Sequence, residues 1–228
     1  MTAPLHRMIG IMGGTFNPIH YGHLRIAQEL ADVLNLDEVR FIPSANPPHK
    51  NIPQVSAQHR AAMVQLAIAD NPIFKLDDCE LKRSGPSYTF DTLQSLRAEL
   101  GNDASICLLM GSDAFVKLNT WHKWDELLSL CHIVLVVRAL KTLQETLAPA
   151  LQTLLHQHYT EHIDDLTQSA TGYITMQEVT KLDISATTIR KQLATKQSVR
   201  YITPNSVIKY INTHHLYGSF NISSVDAT

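Results

Sequence analysis

Two histidines three residues apart, His20 and His23, follow a glycine pair and a Thr-Phe-Asn-Pro turn in the stretch GIMGGTFNPIHYGHLR at residues 10–25. Imidazoles at this spacing across a helix start can share one face. They can donate to phosphate oxygens and share positive charge as a pentacoordinate phosphorus develops, which suits transfer at an α-phosphate. Gly13 and Gly14 leave the backbone bare where an oxygen-rich group would approach. The helix starting near Gly22 turns its free N–H groups and positive dipole end to the same place. A turn without a ligand, or a solvated or core histidine, is the alternative for either feature by itself. Together at one strand mouth they point to an anion site. Neither the Walker pattern G-x-x-x-x-G-K-[ST] nor G-x-G-x-x-G is in register, which disfavours ordinary kinases and dehydrogenases.

A second such end is DISATTIRKQL at 183–193. Ser185 suits an N-cap, Thr187 and Thr188 fall in the first turn, and Arg190 projects from about the second. By itself this is a capped amphipathic helix; paired with the first site it reads as a polyphosphate clamp. The other histidines, in HQHYTEH at 156–162 and at His214-His215, lack a Cys or carboxylate partner in a clear zinc pattern, so no metal site is expected there.

Both ends need elements to hold them. Met8–Met12 reads as a short buried strand, and Leu24, Ala27, Leu30, Ala31 and Leu34 recur at helical spacing after it. With the strand EVRFIP ending at Pro43, this makes one βαβ unit and predicts a parallel sheet. SANPPHKNIPQVS is a loop, and Ser56 caps a helix running to Asp70. The alternation continues through a strand at IFKLDD, a helix over Thr89–Leu100, the strand ASICLLM, a Trp-bearing helical stretch and the strand HIVLVV. Residues 140–172 predict one amphipathic helix and a polar excursion. A last strand at GYITM precedes two helices, one from Ser185 and one with Pro204 at its first position.

The chain has 228 residues, 44% hydrophobic and 18% charged, with a formal net charge of −2. That balance fits one soluble globular domain over 1–228, and it lacks the broad positive field of a nucleic-acid binder. Cys79, Cys107 and Cys131 are odd in number and widely spaced, which predicts a reducing cytoplasm rather than a disulfide framework. The N-terminal apolar run is short for a signal peptide, and no window approaches a membrane span.

GGTFNPIHYGHL resembles the GGTFDPxHxGHL signature of bacterial nicotinate-nucleotide adenylyltransferases, whose HxGH motif marks the wider nucleotidylyltransferase superfamily. ISATTIR is similar to that family's ISSTxIR. PSANPPHK at 43–50, PSYTFDTL at 86–93, GSDAF at 111–115 and NTWHKW at 119–124 fall in the family's order, so the resemblance spans about 8–215.

The resemblance implies a Rossmann-like, doubly wound α/β fold in which helices from about 185 complete the ATP site. It implies adenylyl transfer from ATP to nicotinate mononucleotide, giving nicotinate adenine dinucleotide and pyrophosphate on the route to NAD. Mg²⁺ would come with the ATP phosphates, with no tightly bound organic cofactor; a homo-oligomer remains open. His20 and His23 would stabilise the transition state, with Lys50 and Arg190 on phosphate. Gly13, Gly14, Thr15, Phe16 and Gly22 would shape the nucleotide loop, Ser185 and Thr187 would hold the β and γ end, and Gly111 and Asp113 would border the adenosine. The mononucleotide would lie against Trp121, with Ser87, Tyr88, Thr89, His122, His49 and Arg138 around it. Three residues depart from the pattern: Asn17 where Asp is frequent, Ala186 for the second Ser, and Arg138 without a following Pro-Gly. The competing expectations are a related enzyme using nicotinamide mononucleotide or phosphopantetheine, and a nucleotide sensor without turnover. A tRNA synthetase is disfavoured because the chain has no room for an anticodon-binding domain.

Overall fold

In a computed structural model, residues 6–47, 53, 55–137, 147–180 and 182–218 are described. His49, Lys50 and Arg138 lie outside the described residues. Six parallel strands form one sheet: β1 (Arg7–Gly14), β2 (Glu38–Pro43), β3 (Phe74–Leu76), β4 (Ala104–Gly111), β5 (His132–Val137) and β6 (Ile174–Glu178), in the order β3-β2-β1-β4-β5-β6. This is the parallel sheet that the alternating pattern predicts, with the doubly wound α/β architecture that the resemblance implies. The central strands are apolar on both faces because helices cover both. Met8 and Met12 of β1 face one core, whereas Ile9 and Ile11 face the other.

The first core is roofed by α1 (Tyr21–Leu34), α2 (Ala57–Ile68), α8 (Ala186–Ala194) and α9 (Asn205–Thr213). The opposite face packs α4 (Thr89–Leu100), α5 (Ser112–Phe115) and α6 (Pro149–His158). Short helices α3 (Cys79–Lys82) and α7 (Ile163–Gln168) complete the described set. Gly10 is where the turn after α1 needs a bare strand, since a Cβ there would come within 2.7 Å of Leu36 Cδ1. None of these helices is long and apolar enough to cross a membrane.

Local rules place most boundaries. Ser56 Oγ accepts the His59 N–H and starts α2, while Asn35, left-handed at φ 50°, ends α1. Three expectations change. The Trp-bearing stretch is two 3₁₀ turns, Leu118–Thr120 and Trp124–Ser129, because left-handed Lys123 (φ 50°) breaks it and leaves Trp121 extended. The two tryptophans therefore do not share a helix face. Pro204 caps α9 rather than opening it. The polar excursion holds α7, too short for a periodic signal, which buries Leu166 and has Asp164 and Asp165 in its first turn.

Candidate active site

Strand order reverses between β1 and β4, and open parallel sheets take ligands at such a point, beyond the carboxyl ends of the strands. Here β1 ends in Gly13-Gly14 and β4 in Gly111. A Cβ at Gly13 or Gly111 would meet nothing within 4 Å among the described residues, so both backbones are open on that side to them. Gly14 differs, because its Cβ would lie 3.0 Å from Phe16 Cζ. Phe16 has a positive φ of 46° and a buried ring, edge-on to His23 at 5.1 Å and tilted against Phe41. It shapes the loop from below, and only its backbone is left to face a nucleotide.

The loop delivers His20 to the N-cap of α1 and His23 to its first turn, with the two rings stacked at 3.8 Å. The His20 N–H donates to His23 Nδ1 at 3.3 Å, which leaves the proton of neutral His23 on Nε2. His20 is only 6% exposed, and its Nδ1 has no hydrogen-bond partner among the described residues. Burial pulls its pKa down to about 4, so the resting ring is neutral. Gly22 lets the ring lie where it does, since a Cβ would sit 3.0 Å from His20 Cε1 and 3.7 Å from Ile184 O.

That last distance brings the second predicted end beside the first. Ser185 Oγ accepts the Thr188 N–H at 3.1 Å and caps α8. Arg190 Nη1 donates to Asn17 O at 2.7 Å and Nη2 to Thr187 Oγ1 at 3.1 Å. Two helix N-termini, a guanidinium and two imidazoles thus surround one turn, an arrangement suited to a polyphosphate.

Sequence pattern gives little hint of Arg60, a charge in the apolar stripe of α2 that proves 1% exposed. Its guanidinium donates to Thr15 O and Ser44 O, both at 2.6 Å, and to Val55 O at 3.3 Å. It ties the loop after β1 to the loop after β2 through their main-chain carbonyls. An arginine in register with the apolar Met63, Val64 and Ile68 of the same helix was the available signal.

Gly13, Gly14, Thr15, Gly111, Ser87, Tyr88, Thr89, Trp121 and His122 all line one cleft of about 490 Å³, within the ordinary range for small-molecule sites. Glu80 and Lys117 join them without having been expected; buried Glu80 accepts from Thr92 Oγ1 at 2.8 Å. Tyr88 and His122 pair at 4.5 Å. Ser87 Oγ already accepts the Ala45 and Asn46 N–H groups, so it braces the proline-rich loop. The Trp121 N–H donates to Leu118 O at 2.9 Å, so at this position the ring rather than the amide is left for a ligand. Asp113, in the first turn of α5, is exposed and is not among the residues lining the cleft.

A second histidine is neutral for structural reasons. His132 Nδ1 accepts the Tyr173 N–H at 3.0 Å while Nε2 faces Ser169 O at 2.9 Å, and burial again lowers its pKa to about 4. The unfolded chain takes up these two protons near the ordinary pKa of about 6.5, whereas the folded protein resists until about 4. Stability therefore falls as pH drops from 6.5 toward 4, with each ring contributing up to about 1.4 kcal/mol per pH unit. Urea midpoints across this window should show a shallower fall for His20→Ala than for the unaltered chain. Equal slopes would mean that His20 is not neutral in the fold.

The cytidylyltransferase-like family model matches residues 11–192. A Pseudomonas syringae pv. tomato protein named "Probable nicotinate-nucleotide adenylyltransferase" is 47% identical over 217 residues, covering 95% of this chain and 96% of its own length. A protein of the same name from Acidithiobacillus ferrooxidans is 42% identical over 219 residues, covering 96% and 100%. Among solved structures, Plasmodium falciparum nicotinic acid mononucleotide adenylyltransferase complexed with NaAD aligns with a TM-score of 0.70 at 20% identity. It covers 96% of this chain and 100% of that one, and the likeness is one of fold.

Proposed function

Since the chain belongs to the nicotinate-nucleotide adenylyltransferases within the cytidylyltransferase-like family, we propose that it transfers the adenylyl group of ATP to nicotinate mononucleotide. The products are nicotinate adenine dinucleotide and pyrophosphate. The observation that carries this reading is the two-ended site: stacked His20 and His23 beside the capped N-terminus of α8, and a cleft lined by Tyr88, Thr89 and Trp121 at the β1/β4 switch point. One end suits a triphosphate, the other a flat ring bearing an anion.

The 5′-phosphate oxygen of the mononucleotide is itself the nucleophile, so no side chain needs to attack. Alignment and charge stabilisation make up the protein's share. Gly13 and Gly14 let the triphosphate approach the main chain, and the α1 N-terminus lies beyond them. His23 donates from Nε2, while His20, neutral at rest, donates its ring N–H to the phosphoryl oxygens as negative charge develops on them. Arg190, Ser185 and Thr187 hold the departing pyrophosphate. Mg²⁺ enters as part of the ATP substrate. The acceptor ring stacks on Trp121, and its carboxylate meets Thr89 and the N-terminus of α4. Helices from 185 onward complete the ATP site within a single domain.

The route of the α-phosphorus tests this. In a single turnover with α-labelled ATP and nicotinate mononucleotide, label is expected only in the dinucleotide, with unlabelled pyrophosphate and unlabelled protein. Label trapped on the chain would require a protein nucleophile and end the direct-transfer reading.

A further inference from the structure

The segment after α9 grips the same turn that carries the histidines. It passes through left-handed residues at His215 (φ 50°), Tyr217 (φ 59°) and Gly218 (φ 72°), of which two are not glycine. Such backbone persists where its surroundings impose it. The result is to aim Tyr217 inward: its phenol OH donates to Asn17 Oδ1 at 2.6 Å, across 200 residues of sequence. Burial raises the phenol's pKa despite the opposing pull of Arg190 and Arg60, so the OH keeps the proton it donates. Asn17 O accepts from Arg190 at the same time. Asn17 is therefore held by its main chain from α8 and by its side chain from the C-terminal turn, three residues before His20.

We propose that Tyr217 is a positioning residue for adenylyl transfer, fixing through Asn17 the turn that delivers the His20 and His23 rings. The inference rests on the adenylyl-transfer reading of the site. The Tyr217 OH is committed to Asn17 Oδ1, so its loss acts on the alignment of the turn rather than on a substrate contact. Its ring packs against the core beneath α8 and α9, and Tyr217→Phe keeps that packing while removing the one hydrogen bond. Alignment of reacting groups is sensitive to displacements of about 1 Å, which makes a freed turn costly to turnover.

Tyr217→Phe is expected to lower kcat about tenfold with both KM values within about twofold and the melting temperature nearly unchanged. Asn17→Ala should show a similar loss, and the double variant no more than the larger single loss, because both substitutions break one bond. In the substrate-free protein, the imidazole resonances of His20 and His23 should move in Tyr217→Phe while those of His132, at the far end of β5, hold. Additive kcat losses, a raised KM at constant kcat, or unmoved His20 and His23 resonances would overturn the proposal. An unaltered chain that releases no pyrophosphate with nicotinate mononucleotide would instead sink the functional reading, and the resonances alone would then decide the role of Tyr217.

Discussion

Alanine in place of His20 or His23, made singly, is expected to lower kcat by roughly 10²–10³ with only a few-fold change in the ATP KM. The asymmetry follows from when each ring acts. A neutral, buried His20 whose Nδ1 lacks a partner gives little to the ground state. On the proposed mechanism its contribution appears when negative charge builds on the phosphoryl oxygens and the imidazole N–H can answer it. Uniform binding to ATP would fall on KM instead. The two variants should differ in stability. His23→Ala removes the acceptor of the His20 N–H and the edge partner of Phe16, whereas His20→Ala deletes a buried group with an unmet hydrogen-bonding atom. Thermal melts beside steady-state kinetics separate the effects. Either variant retaining full kcat would remove its imidazole from the mechanism.

Elements governed by local rules were legible in the chain. The helix Thr89–Leu100 agrees with its expected bounds because Phe90, Leu93 and Leu96 recur on one face and Gly101 stops it. The strands read as apolar runs because both their faces are covered. Where the structure departs, the determinant is a single backbone conformation or a distant contact. Left-handed Lys123 splits the Trp-bearing stretch, and nothing in the lysine's chemistry announces it. Arg60 acts on main-chain carbonyls, which every residue has, so its targets leave no trace in composition. Tyr217 and Asn17 meet only because α8 and α9 fold back over β1. The glycine loop and ISATTIR could be joined through their shared phosphate chemistry. The roles of Ser87 and Asp113, carried over by resemblance, look different beside their actual surroundings: one hydroxyl is engaged by two amides, and one carboxylate stands exposed off the cleft wall.

Nicotinate mononucleotide is expected to exceed both nicotinamide mononucleotide and phosphopantetheine in kcat/KM by about 10²-fold or more, because in the proposed pose the cleft presents donors to the ring's substituent. Tyr88 and Thr89 stand at the N-terminus of α4, whose first N–H groups have no partners within the helix and favour an anion. A carboxamide turns an NH₂ toward those same donors, and a buried donor facing a donor loses its hydrogen bond as well as the charge attraction. Phosphopantetheine lacks a flat ring to lie between Trp121 and the Tyr88–His122 pair, as the proposed pose requires. The central claim is thus acceptor identity at an adenylyl-transfer site, and pyrophosphate release from ATP with each acceptor in turn measures it directly. Rapid release with nicotinate mononucleotide and about a hundredth of that efficiency with the amide is the predicted result. Equal or better turnover of the amide would contradict the assigned specificity, and ATP binding without release for any acceptor would contradict the enzyme itself.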